Sequence, residues 1–302
     1  MSKASKSKRK KASTGGKKKH KGALKGAAGS SRVGPAPASA YRRVGGTPQL
    51  RRSLVAFIDL LGTSDHARGT NAQITLERLD TALTSAREKS GVDDGGSVSY
   101  AAWFSDNLAI GVPASADVRE QDSEVGFMIV PIIWLQYFLA IDRFFVRGGI
   151  TVGDHFADDR INYGPALVAA VSLEKAARHP RIAVDDRFLR FVDPHFRFYG
   201  DPQDHPCHVQ LAVDRSDGCV FVSYLAAALE ADDPGECFDM LELHRQAVHH
   251  QLLTHLTDQN PKVRDKYVWL AQYHNWFCRS FCPADELLID LDQEGEFARY
   301  EP

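Results

Sequence analysis

The positive and negative charges of this chain are separated along its length, and that separation limits where it can fold. Residues 1–52 contain 16 Lys and Arg and no Asp or Glu, so the remainder carries 21 basic residues against all 39 acidic ones. Residues 1–48 also lack the apolar periodicity that offsets the entropy lost on ordering. We therefore predict a disordered Lys-rich tail at 1–48 and a folded, acidic body beyond it.

The tail and the cysteines bear on location and partners. The tail has no apolar signal-peptide core, and five cysteines without paired metal-ligand spacing are typical of reduced thiols in the cytoplasm. The Lys-rich tail suits binding to nucleic acid, anionic lipid or an acidic protein, or it has no specific partner.

The apolar run 127–141 contains Pro131 and Gln136 and is shorter than the roughly 20 residues of a membrane helix. We predict a buried helix there and no membrane span.

The body alternates short apolar strands with amphipathic helices. Strands are predicted at 53–62, 97–104, 107–113, 144–156 and 180–185, and helices at 73–90, 125–143 and 164–177. This β-α-β-β-α-β order predicts an α+β fold with an antiparallel sheet covered by helices on one face. Two strands within 208–225 and helices at 237–257 and 261–281 follow. We predict a core domain at 49–200 and a C-terminal extension at 201–302 that packs on it.

Two acids stand at the ends of apolar strands. Asp59 lies in FIDLLG and Asp106 in FSDN. If their strands are neighbours, the carboxylates meet at one sheet edge and repel each other unless a divalent cation lies between them. Hard oxygen ligands suit Mg²⁺ or Mn²⁺ with a triphosphate, and the backbone N–H groups around Gly62 and Thr63 suit its phosphates. Either acid alone is better explained as a turn cap; the pair favours a metal site.

Several segments together resemble the class III nucleotidyl cyclases, most closely the Pycsar anti-phage pyrimidine cyclases. These segments are FIDLLG, FSDN, VRGGITVGDHF and YGPALVAAVSLEKAARHPRIAVD, with a weaker similarity in KYVWLAQYHNWF. The resemblance spans about 53–190. It implies a class III cyclase-like core at 49–200 that converts UTP or CTP into a 3′,5′-cyclic nucleotide and pyrophosphate. It also implies a homodimer and a separate effector that reads the cyclic nucleotide in anti-phage defence.

The resemblance also implies roles for particular residues. By position, Asp59 and Asp106 match the metal-binding aspartates for two ions, with the backbone carbonyl of Leu60 as a further ligand. Phe57 falls where the family contacts the nucleotide. Arg147 is a candidate source of positive charge for the transition state, and the competing interpretation is an ordinary surface arginine.

The chain also departs from the purine cyclases at four positions. Ala102 and Ile161 stand where those enzymes read the base with a Lys and an acid, and Val168 and Ser172 stand in place of the transition-state Asn and Arg. An apolar side chain cannot hydrogen-bond a purine edge, so we expect a pyrimidine substrate, with UTP favoured over CTP. The alternative is a catalytically degenerate nucleotide-binding module tethered by its tail.

Some features have simpler explanations. Glu174 and Lys175 fit ordinary surface charge on a helix, and the histidines at 244, 249, 250 and 255 fit a solvated helix face. Tyr267, Trp269, Tyr273 and Trp276 recur at helical spacing, which favours a core or an interface over base stacking.

Overall fold

The computed structural model describes residues 40–93, 100–255 and 260–302. In chain order the elements are β1 (Arg51–Leu60), α1 (Thr63–Arg68), α2 (Ala72–Ser90), β2 (Tyr100–Phe104), β3 (Asn107–Pro113), α3 (Val118–Ile141), β4 (Val146–Ala157), β5 (Asn162–Tyr163), α4 (Pro165–Ala176), β6 (Ile182–Val184), α5 (Asp186–Phe196), α6 (Cys207–Gln210), β7 (Leu211–Asp214), β8 (Cys219–Val222), α7 (Pro234–His255), α8 (Pro261–Phe281) and β9 (Phe297–Arg299). The sequence analysis did not predict the short elements α1, β5, α6 and β9, and it also missed α5, although the apolar residues of α5 recur at helical spacing. Three predicted parts lie outside the described residues: the tail at 1–39, the start of the predicted strand at 97–99 and the end of the predicted helix at 256–257.

One mixed sheet organises these elements. Its strand order is β2-β3-β1-β4-β6-β8-β7-β9, and β5 pairs with β4 beside this path. Its pairings are antiparallel except for the parallel pairing of β4 with β6. The predicted α+β class with a largely antiparallel sheet and a β-α-β-β-α-β core is confirmed. The strands of the C-terminal extension continue this sheet, since Ala183 in β6 pairs with Phe221 in β8.

Helices cover both faces of the sheet, so the prediction of one covered face was wrong. Successive residues of a strand point to opposite faces, and Leu54 and Ile58 of β1 pack into the main core with α3. Val55 and Phe57 instead pack against α4 in a second cluster. The unbroken apolar run of β1 explains this arrangement, because a strand buried on both faces does not alternate in polarity.

The apolar run at 127–141 belongs to α3. Among the residues that the structure describes, α3 is long and apolar enough by composition to cross a membrane. However, 61% of its most apolar stretch is buried inside the protein, against the sheet and α7. This burial is typical of a core helix.

Folded structure begins before residue 49. The Tyr41 ring is fully buried, and its hydroxyl donates to Ser53 and lies 2.9 Å from Nδ1 of His155. Arg42 forms an ion pair with Asp158. The predicted tail therefore ends before Tyr41, which packs with Arg42 against the sheet, whereas residues 43–48 are exposed.

Candidate functional site

Strand pairing brings Asp59 and Asp106 to the same end of the sheet. Asp59 is paired with Asn107 of β3, and Asp106 occupies the turn between β2 and β3. The backbone N–H of Leu60 donates to the carbonyl of Asp106 over 3.1 Å. The two acids, 47 positions apart in the sequence, are therefore neighbours across the junction of two strands.

Hydrogen bonds surround the Asp106 carboxylate. Thr63 Oγ1 donates to its Oδ2, while Ser105 Oγ and Asn107 Nδ2 donate to its Oδ1 over 2.9 and 3.0 Å. Ser105 itself adopts a left-handed conformation, with φ of 56°, at the tip of the hairpin. Partial burial raises the pKa of Asp106, but the donors from Thr63 and Ser105 outweigh it and hold that pKa below its usual value. Asp106 is therefore kept ionised.

Asp59 has the opposite environment. Burial raises the pKa of Asp59 to about 6, and the nearby carboxylates of Glu174 and Asp106 add to this rise. Arg147 opposes it, with Nη2 at 3.5 Å from Asp59 Oδ2. Asp59 is therefore a crowded carboxylate whose ionised form needs additional positive charge.

Glu174 is a site residue that the sequence analysis missed. Its side chain is 5% exposed, and its Oε1 lies 2.5 Å from Nε of Arg147, so the interpretation as surface charge was wrong. The signal was present in the spacing of Ala166, Ala170 and Glu174, which places all three on the buried face of α4. A Cβ at Gly149 would lie 2.4 Å from Leu173 Cβ, so glycine in β4 permits the close approach of α4 that buries Glu174.

The remaining predicted residues divide between two environments. Leu60 and Thr63 border a cleft of about 560 Å³ together with Asp106, Ser64 and residues of α2, whereas Asp59 is not part of its lining. Phe57 is only 8% exposed and packs under α4, with its ring 6.0 Å from that of Phe104. The structure therefore brings Asp59, Leu60, Thr63, Asp106 and Arg147 to one end of the sheet, and Phe57, two residues before Asp59 in β1, lies on the same face as Asp59, beneath α4.

Gly62 makes the turn between β1 and α1, with φ of 83°, a conformation that glycine adopts without strain. Thr63 opens α1 immediately afterwards. The turn thus stands directly beside the hydrogen-bonded Asp106.

The donor set fits a divalent cation. Asp59, Asp106 and Glu174 together carry three negative charges when ionised, and Arg147 supplies one positive charge, which leaves an excess of two. Carboxylate oxygens with the carbonyl of Leu60 at the end of β1 make an all-oxygen set of the type that Mg²⁺ and Mn²⁺ prefer. The assignment of Asp59, Leu60 and Asp106 as ligands stays a prediction.

The four positions at which the chain differs from the purine cyclases lie in or beside β2, β5 and α4. Ile161 and Val168 are 55% and 67% exposed, and Ser172 Oγ donates to the carbonyl of Val168 over 2.8 Å, within α4 itself. Ala102 is paired with Ala109 inside the sheet. None of these side chains approaches the acids within hydrogen-bond distance.

A second group of side chains has the composition of a metal site. Asp122, His195 and His205 place one ligand atom each within 4.8 Å of one another. His205 Nδ1 accepts a hydrogen bond from the Cys207 backbone N–H over 3.0 Å, so in the neutral ring the proton sits on Nε2, which faces Asp122 Oδ1 at 3.3 Å. In this tautomer Nε2 carries a proton and so has no lone pair to offer a metal.

No protein-family model matches this chain, and no curated protein matches it. Among solved structures, it is similar to the crystal structure of the guanylyl cyclase Cya2, with 14% identity, a TM-score of 0.36, and coverage of 47% of this chain and 79% of that one. It is also similar to a bacterial light-regulated adenylyl cyclase, with 15% identity, a TM-score of 0.35, and coverage of 68% and 59%. The chain therefore spans less than two thirds of the light-regulated cyclase.

Proposed function

We propose that this protein is a nucleotidyl cyclase that converts UTP into 3′,5′-cyclic UMP and pyrophosphate. The observation that carries the proposal is the meeting of Asp59 and Asp106 at one sheet edge with an uncompensated negative charge. Such a pair supports binding of a metal–nucleoside triphosphate. The cyclase reaction itself comes from the resemblance of the segments around both acids to class III cyclases.

In this proposal Asp59, Asp106 and the Leu60 carbonyl hold two divalent ions. When bound, such ions lower the pKa of a coordinated hydroxyl and neutralise a phosphate leaving group. The 3′-oxygen of the ribose forms a bond to the α-phosphorus, the bond from the α-phosphorus to the bridging oxygen breaks, and the hydroxyl proton passes to solvent. Thr63 keeps Asp106 ionised and oriented, and the turn at Gly62 presents backbone N–H groups to phosphate oxygens.

Arg147 acts mainly on Asp59 in this scheme. Since its guanidinium is already paired with Glu174 and Asp59, it fixes the position of the Asp59 carboxylate and balances part of the local negative charge. Glu174 in turn orients Arg147. We propose this pair as positioning residues, with Arg147 as a further source of charge near the reacting phosphate.

A pyrimidine substrate is favoured by the side chains at the purine-reading positions. Ala102 and Ile161 offer no donor or acceptor for a purine edge. The preference for UTP over CTP follows from the resemblance to the pyrimidine cyclases, and cyclic CMP is the alternative product.

We further propose a homodimer in the cytoplasm whose product activates a separate effector in anti-phage defence. The exposed apolar side chains Ile161, Tyr163 and Val168 cluster at β5 and α4, and burial against a second copy would remove them from water. In class III cyclases the site forms between two such domains, so a monomer is expected to be inactive.

The test is incubation of the full chain with all four nucleoside triphosphates and Mn²⁺, followed by identification of products by mass. We expect cyclic UMP, and about a thousandfold less of it from Asp106→Asn. Asp80→Asn, on an exposed face of α2, is the matched control and should retain activity. Absence of any cyclic nucleotide from the dimeric protein would contradict the proposal.

A degenerate nucleotide-binding module is the second candidate, favoured by Val168 and Ser172 at the transition-state positions. It predicts metal-dependent UTP binding without turnover, together with salt-sensitive DNA binding that is lost when residues 1–39 are deleted. The deletion has to end before Tyr41, because that ring is part of the core.

A further inference from the structure

A second cleft lies on the other side of the turn between β1 and α1. It has a volume of about 350 Å³, and Leu61 and Gly62 of the turn form part of its wall. Arg78 of α2 and Arg143, which follows α3, line it, and α7 and α8 close it with side chains that include His250. We call this the basic cleft. The C-terminal extension thus completes a cavity that the core alone would leave open.

The described lining of the basic cleft includes Arg78, Arg143, Lys266 and two histidines, and no Asp or Glu. An adjoining cavity that shares Arg78 and Arg143 is also lined by Glu77 and Asp142. Within residues 40–93, 100–255 and 260–302, no carboxylate oxygen comes within 4.0 Å of the guanidinium of Arg78 or Arg143. Other described arginines, among them Arg51 and Arg119, also have no such partner in the same ranges, so the distinguishing feature of this cleft is that two such arginines border one cavity.

Arg143 is held in place by neighbours on α7. Its Nη1 lies 3.0 Å from His250 Nε2, and because arginine only donates, His250 accepts there and carries its proton on Nδ1. Gln251 Nε2 also donates to the Arg143 carbonyl over 3.3 Å. Arg143 adopts φ of 69°, a strained conformation for a residue other than glycine. Backbone strain of this kind persists where surrounding contacts hold it, often at a ligand site.

Arg78 approaches from the opposite wall. Its guanidinium stacks over the Phe144 ring at 5.6 Å and makes one long hydrogen bond, of 3.4 Å, to the Asp142 carbonyl. Stacking on an aromatic face fixes the plane of a guanidinium while its remaining N–H donors stay available. Two arginine forks therefore border one small cavity.

We infer that the basic cleft binds a small polyphosphate anion, of the diphosphate or triphosphate class. Guanidinium groups bind phosphate oxygens in a bidentate manner, and the acid-free lining suits a ligand with several negative charges. The enclosed volume suits a small molecule and is too small for a nucleic-acid duplex. Two sources share this chemistry, free pyrophosphate and the phosphate tail of a nucleoside triphosphate. The inference stands without the cyclase reaction, because Arg78 and Arg143, which carry it, have no role in that reaction, although the turn at Gly62 borders this cleft too.

The test is calorimetric titration of the full chain with pyrophosphate in EDTA, which removes divalent cations and so suppresses metal-dependent binding at Asp59 and Asp106. We expect saturable binding that Asp59→Asn/Asp106→Asn retains. Arg78→Gln/Arg143→Asn should weaken it about tenfold or more, since two charge-assisted contacts are lost. Asparagine is chosen at 143 because it tolerates a left-handed backbone.

The matched control removes two exposed arginines elsewhere, as Arg119→Gln/Arg190→Gln, and should bind pyrophosphate as the unmodified protein does. Circular dichroism and thermal melting check that each variant folds. If the double variant unfolds, Arg78→Gln alone replaces it in the titration, because Arg78 lies on an exposed helix face. Displacement of pyrophosphate by UTP in EDTA assigns the cleft to a nucleotide tail, and failure to displace it assigns the cleft to free polyphosphate. Lack of binding, equal affinity for citrate, or equal weakening in the control would overturn the inference.

The outcome is separable from that of the proposed function. A protein without cyclase activity that still binds pyrophosphate through Arg78 and Arg143 refutes only the reaction. If the protein is an active cyclase and substitution of both arginines leaves its pyrophosphate affinity unchanged, only the inference about the basic cleft is refuted.

Discussion

The protein buries two groups of titratable side chains in opposite ways, one with unbalanced charge and one without any charge. The acidic edge, formed by Asp59, Asp106 and Glu174, gathers carboxylates around one arginine. The histidine chain, formed by Tyr224, His244 and His274, lies fully buried between α7 and α8. Tyr224 OH donates to His244 Nε2 over 2.6 Å, the two Nδ1 atoms lie 3.0 Å apart, and His274 Nε2 donates to the Leu287 carbonyl over 2.9 Å. With one proton on each ring, every bond in the chain has a donor and an acceptor, and no charge is needed.

This difference distinguishes a candidate ligand site from a group of side chains that only stabilises the fold. A neutral, satisfied chain stabilises the fold and offers nothing to a ligand. The acidic edge leaves repulsion in the folded state that an added cation would relieve. Four predictions test this contrast.

The largest effect is expected at the acidic edge. Asp106→Asn keeps the shape of the side chain and removes its charge, so we expect cyclase activity to fall by about a thousandfold, or about 4 kcal/mol in transition-state stabilisation. Product formation from UTP with Mn²⁺ measures it. An equal loss in Asp80→Asn would show that the effect is not local.

The histidine chain should respond to acid. Burial lowers the pKa of His274 to about 4 and that of His244 well below its usual value. The unfolded chain takes up protons below about pH 6.5 while the folded chain does not, so the free energy of unfolding should fall between about pH 6.5 and pH 4. His274 alone contributes up to about 3 kcal/mol to this loss.

Urea unfolding measured from pH 4 to pH 8 checks this slope. His274→Gln should flatten it, whereas His249→Gln, at an exposed position of α7, should leave it unchanged. A stability that is constant over this range would contradict the neutral hydrogen-bonded chain.

Glu174→Gln tests how the acidic edge is held. The change removes the nearest carboxylate from Arg147, which then interacts with Asp59 alone, so the pKa of Asp59 should fall. We expect the free energy of unfolding to drop by about 1–2 kcal/mol, a modest value because the Arg147 side chain is 30% exposed. Denaturant unfolding measures it, with the exposed neighbour changed in Lys175→Gln as control. A stabilised variant would show that Glu174 only adds repulsion.

The smallest effect is expected from Thr63→Val. It removes one hydroxyl donor to Asp106, whose pKa should rise, and Mn²⁺ binding should weaken about fivefold, or about 1 kcal/mol. Calorimetric titration with Mn²⁺ compares it with Thr75→Val, in which the changed residue borders the same cleft without a hydrogen bond to Asp106. Equal affinity in both variants would remove Thr63 from the site.

Much of the fold could be predicted from local patterns. The strands around Asp59 and Asp106, the helices at 72–90, 165–176, 234–255 and 261–281, and the burial of Trp269 and Tyr273 follow from apolar periodicity. The solvated face predicted for His244 was wrong. Its burial depends on Tyr224 and His274, which lie 20 and 30 positions away.

The sequence by itself determined which residues carry charge, where most of the strands and helices lie, and that two acids stand at the ends of apolar strands. Those features depend on side-chain type and on spacing within one element. Only the tertiary structure decided that Glu174 pairs with Arg147, that Tyr41 belongs to the core, and that Arg78 and Arg143 share a cavity closed by α7 and α8. These contacts join residues from different elements, and the burial that sets their energies exists only after the elements have packed together.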